Sequence, residues 1–150
     1  MKPEIVIYGA DYKLKLIVET RTKPGASVEW ATEFRGNFLR YQVIPRSPYF
    51  LLATPDFFFL WTDAETADET APPDYCVPVP SSINNYLKRL KLSPGTVGKE
   101  VWGYLVKDWL SDITNFHRSP ETIEPDELWL IETGLYQAIR NGSIATPAAA

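Results

Sequence analysis

The chain has 150 residues, one domain's worth, and is 45% hydrophobic and 23% charged, an ordinary globular composition. Five Trp, seven Phe and eight Tyr exclude disorder along the whole length, and Cys76 and His117, single of their kind, exclude a disulfide scaffold and a Cys/His zinc site. The net charge of −4 argues against a general nucleic-acid binder; it divides into +2 over residues 1–61 and −6 over residues 62–150, so an anionic partner would meet the first part of the chain.

Residues 4–8, Glu-Ile-Val-Ile-Tyr, are rich in β-formers, and Gly9-Ala10-Asp11 supplies turn chemistry. Residues 14–21 form a second strand, and so short a turn makes the pair a hairpin. The strand pattern stops at Pro24-Gly25. Ser27 then serves as an N-cap, with Glu29 in the first turn. Val28, Ala31, Phe34, Phe38 and Tyr41 recur at helical spacing, which predicts an amphipathic helix over 28–41. Residues 49–53 are apolar throughout, as in a strand buried on both faces. A turn at Thr54-Pro55-Asp56 leads to another strand at 57–61, and it also cuts the longest apolar run well short of a membrane span.

Residues 62–80 hold five acidic and no basic residues, with four prolines, and read as an acidic, proline-stiffened loop. Three helices are predicted after it: 82–92, ended by Pro94-Gly95; about 96–116; and one marked by Leu128, Ile131, Leu135, Ala138 and Ile139, with Asp126 at its N-terminus and Asn141-Gly142 as its C-cap. The tail 145–150 is expected to fray. A helix joining strand 14–21 to strand 49–53 by a right-handed crossover lays those strands parallel. The expected fold class is therefore α/β (α+β), a mixed sheet flanked by helices with a C-terminal helical segment. It forms one domain over 1–150, with a sheet core at 1–62, the acidic loop at 63–80 and the helical segment at 81–142. Met1-Lys2-Pro3-Glu4 contains no apolar signal region, so a cytoplasmic protein without a membrane partner is the expectation.

In the hairpin the start of the first strand neighbours the end of the second. Glu4 and Glu19 are therefore expected within a few ångströms of each other. The two-residue strand period turns Glu19, Arg21 and Lys23 to one face. Two carboxylates beside cations form a minimal kit for a hard metal ion and a phosphate.

The segment PEIVIYGADYKLKLIVETR resembles the PD-(D/E)XK motif of the restriction-endonuclease-like nuclease superfamily, and the helix and apolar strands that follow match its element order over about residues 3–62. Similar stretches occur in N-terminal domains of type I restriction subunits. The resemblance implies a restriction-endonuclease-like sheet and Mg²⁺-dependent hydrolysis of DNA phosphodiesters. Glu4 and Glu19 match its metal-binding acids, the Thr20 carbonyl its backbone metal ligand, and Arg21 its lysine. Arginine cannot give up a proton as lysine can, so Arg21 is left to clamp phosphate or steady charge, with Lys23 as a stand-in. Only Met1 and Lys2 precede Pro3, where active members carry a helix. The resemblance thus also implies a second expectation, a degenerate, non-enzymatic interaction module of a restriction, defence or repair assembly with a protein partner.

Elsewhere, Glu29 and Glu33 share a helix face that Arg35 and Arg40 balance in solvent. Trp30 is expected to pack on the sheet rather than stack a base, and Trp102, Trp109 and Trp129 to fill the helical core. Cys76 is expected as a small buried hydrophobe, His117 at a helix end, and Lys88, Arg89 and Lys91 with Tyr86 as a basic helix face.

Overall fold

A computed structural model describes residues 3–41, 45–115 and 118–147. The expectation for His117 lies outside them. Strand β1 (Ile5–Tyr8) pairs antiparallel with β2 (Leu14–Thr20), with Ile5 opposite Val18 and a register shift after Ile7. Helix α1 (Val28–Tyr41) starts as the sequence predicts: the Ser27 hydroxyl accepts the Trp30 N–H at 3.1 Å. It returns the chain to β3 (Tyr49–Ala53), which runs parallel to β2 with Thr20 opposite Ala53. Strand β4 (Phe57–Trp61) then turns back antiparallel to β3.

The acidic segment is not all loop. Residues Tyr75–Pro78 form β5 along the edge of β4. Proline is tolerated there because an edge strand carries a row of N–H groups that need no ladder partner. At the opposite edge, β6 (Ser143–Ala145) pairs antiparallel with β1, so Ala145 lies opposite Val6 instead of fraying. The sheet order is β5-β4-β3-β2-β1-β6, with β2 and β3 its one parallel pair among the described strands.

Helices α2 (Ser81–Arg89) and α3 (Lys99–Thr114) cover one face of the sheet, together with the short α4 (Trp129–Glu132) and α5 (Leu135–Ile139). The single helix expected over 128–139 is broken because Gly134 adopts a left-handed φ of 79°, which glycine reaches without a Cβ penalty. Asp126 does not cap that segment. Its carboxylate accepts the Ser81 N–H at 2.9 Å and so closes the start of α2 across the fold.

The two faces carry separate cores. Leu16 and Val18 face the helical side, where Trp102, Trp109 and Trp129 are buried as expected. Ile17, Phe50 and Trp61 face α1. The α1 face of Glu29 and Glu33 is solvated as expected, but Arg35 does not share it: it is 1% exposed. Its guanidinium donates to the carbonyls of Asp68 (2.9 Å), Ala64 (3.2 Å) and Ala67 (3.3 Å) and lies 5.3 Å from the Trp61 ring centroid. These bonds hold the acidic segment to α1, since its carbonyls converge on a donor that fans out in a plane. Cys76 is also corrected. It sits on the exposed side of β5, where partial burial still pushes its thiol pKa up.

Candidate functional site

The hairpin brings Glu4 and Glu19 together, as the sequence predicts. Glu4 lies one residue before β1, and its backbone N–H donates to Glu19 Oε2 at 2.7 Å. Glu4 Oε1 accepts the Thr20 N–H at 3.2 Å, and Glu4 Oε2 accepts the Thr20 hydroxyl. The two acids therefore tie the outer ends of β1 and β2 together.

Arg21 continues β2 by one residue, and its backbone N–H donates to the Ala53 carbonyl at 3.1 Å. That carbonyl also accepts the Trp102 indole N–H at 3.0 Å, which anchors the strand end to α3. The Arg21 guanidinium reaches Glu4 Oε1 and Glu19 Oε1, each at 3.4 Å, and donates to the Thr20 carbonyl at 2.6 Å. Its other face rests on the Phe34 ring, 4.7 Å from the centroid, a cation–π contact. Lys23 is exposed and takes no part in this network.

Burial separates the two acids. Glu19 is 3% exposed, whereas the Glu4 side chain keeps 31% of its surface. Burial is the main reason that the Glu19 carboxyl is pushed up to about 7. The Glu4 N–H and the Arg21 charge oppose that rise, and the Glu4 charge adds to it. A carboxyl raised toward neutrality between strand ends is a common companion of function, but burial at a purely structural strand junction produces the same shift.

Two open recesses flank the site. Arg21, Trp30, Phe34, Phe38 and Tyr41 line one of about 360 Å³ along α1. Glu4, Lys99, Gly103, Tyr104 and Lys107 line the other, about 330 Å³, along α3. Trp30 is half-buried, 5.5 Å from Phe34 between ring centroids, and packs toward the sheet. Glu29 and Glu33 are exposed.

The Thr20 hydroxyl and Gly103 belong to the site and were missed by the sequence reading. A Cβ on Gly103 would lie 3.3 Å from Glu4 Oε2 and 3.4 Å from the Thr20 hydroxyl, so α3 seats directly over the pair. An isolated glycine inside a helical pattern was the available signal. Nothing in the sequence singled out the Thr20 side chain.

A metal ion at these strand ends would need Glu4, Glu19 and the Thr20 carbonyl as ligands. All three already receive the same guanidinium, so as arranged they do not fit a cation as well. Among the described residues, no group of three or more His, Cys, Asp or Glu is gathered to hold a metal. No described helix is long and apolar enough to cross a membrane. Compared with known proteins, the chain matches no family model, no curated protein and no solved structure.

Proposed function

We propose that this chain is a non-catalytic interaction module built on a restriction-endonuclease-like sheet, serving as a subunit of a restriction, defence or repair assembly. The succession of hairpin, helix, parallel strand and antiparallel strand supports the arrangement. The observation that carries the reading is the Arg21 guanidinium on the Thr20 carbonyl at 2.6 Å, with both acids at 3.4 Å. A guanidinium, planar and rich in N–H donors, fills the place between these oxygens. The strand ends then act as a clasp for the sheet.

The rival reading is Mg²⁺-dependent hydrolysis of DNA phosphodiesters by Glu4, Glu19, Arg21 and Lys23. It draws support from the part-exposed Glu4 carboxylate beside the recess along α3. Single- and double-stranded DNA incubated with Mg²⁺ or Mn²⁺ separates the two. The module reading expects no cleavage by the parent or by Arg21→Lys, and no heat on titrating either metal into the parent. Metal-dependent cleavage by the parent that disappears in Glu19→Gln overturns it.

A further inference from the structure

A recess lies away from the strand ends. It runs between α2 and α3 and encloses about 420 Å³, within the range of about 300–1,000 Å³ typical of ligand sites. Its floor is made by Ile83, Leu105 and Trp109, which are 4–5% exposed. Tyr86 forms a wall, and Asp108 and Glu124 stand exposed on the rim.

The floor is fixed in place. The Trp109 indole N–H donates to Glu127 Oε2 at 2.8 Å. Glu127, fully buried, in turn receives the Arg118 guanidinium at 2.7 Å and 3.3 Å. The Tyr136 hydroxyl holds the Arg118 carbonyl at 2.6 Å. An aromatic anchor on a rigid support is how protein interfaces concentrate their binding energy.

The charges give the sign of the occupant. Arg118 lines the recess, but its charge is answered by buried Glu127. Arg89 lies over the Tyr86 ring, 5.1 Å from its centroid. Against these two cations the lining sets Asp108, Asp112 and Glu124, with the buried Glu127 behind Arg118. A phosphate backbone is repelled by such a field, whereas a chain bearing lysine or arginine is drawn in.

We propose that the α2–α3 groove binds a basic, apolar segment of a partner protein: its aliphatic side chains lie on Ile83, Leu105 and Trp109, and its lysine or arginine side chains meet Asp108 and Glu124. This goes beyond the reading of the strand ends and uses none of their residues.

The test is fluorescence anisotropy on the full chain with two labelled peptides, acetyl-Leu-Lys-Leu-Arg-Leu-amide and acetyl-Leu-Glu-Leu-Glu-Leu-amide. The basic peptide binds at low salt and the acidic one does not. Asp108→Asn with Glu124→Gln weakens the basic peptide about fivefold to tenfold. Ser82→Arg, an exposed change that fills the groove with a like charge, abolishes binding while the melting temperature stays put. Equal binding of both peptides overturns the proposal. So does basic-peptide binding that is unmoved by the double variant, no binding at about 1 mM peptide, or displacement of the peptide by a single-stranded oligonucleotide. None of these readouts depends on DNA cleavage, so failure here leaves the strand-end reading standing, and the reverse holds too.

Discussion

Replacing Glu19 with glutamine should stabilise the protein above neutral pH and leave it unchanged in mild acid. Glu19 is 3% exposed, and its carboxyl is raised from the ordinary 4.5 to about 7. In the unfolded chain it loses its proton near 4.5; in the folded chain it keeps it until about 7. Between those values the folded state binds the extra proton, so stability from this group falls as pH rises and is flat above about 7. The full span corresponds to about 3 kcal/mol. Glutamine stays neutral, and its side-chain oxygen can still accept the Glu4 N–H that Glu19 Oε2 takes at 2.7 Å. It gives up the long 3.4 Å pair with Arg21, whose side chain is 34% exposed, which returns a fraction of the gain. Urea denaturation of parent and Glu19→Gln across about pH 5 to 8 should therefore give curves that meet at the acid end and diverge by about 1–3 kcal/mol at the alkaline end. Parallel curves would refute the reasoning and place the Glu19 carboxyl in contact with water.

Arg21→Ala leaves the Thr20 carbonyl and both carboxylates short of a donor; the expected cost is about 1 kcal/mol, since the side chain is part-exposed, and chemical denaturation at neutral pH measures it. Arg35→Met keeps the volume but abandons three carbonyls of the acidic segment; a loss of about 2–4 kcal/mol is expected, with protease nicking between residues 64 and 71 as a second readout. Gly36→Ala should destabilise by about 1–3 kcal/mol despite better helix propensity, because its Cβ would lie 2.5 Å from the Glu69 carbonyl oxygen; a raised melting temperature would contradict this packing.

Where information is local and repeated, the chain could be read directly. The hairpin, α1 at 28–41, the parallel β2–β3 pair and the burial of three tryptophans follow from apolar period, turn chemistry and the handedness of crossovers. The approach of Glu4 to Glu19 followed too, because hairpin geometry alone puts those ends side by side. Tertiary structure decided everything that depends on a partner distant in sequence. Residues 143–145 and 75–78 are too short and too polar or proline-rich to declare themselves strands; they become strands because β1 and β4 offer free edges. Arg35 looks like one more surface cation until the carbonyls of residues 64–68 close around it. The same holds for Glu127, whose burial depends on Arg118 and Trp109 arriving from other elements. At the candidate site, residue types alone suit either a metal or an ion pair. Which of these forms depends on where the Arg21 guanidinium lies, and the Phe34 ring of α1 and the seating of Gly103 over Glu4 set the walls of that space. Period and propensity act between near neighbours, whereas a buried charge takes its character from whatever the folded chain packs around it.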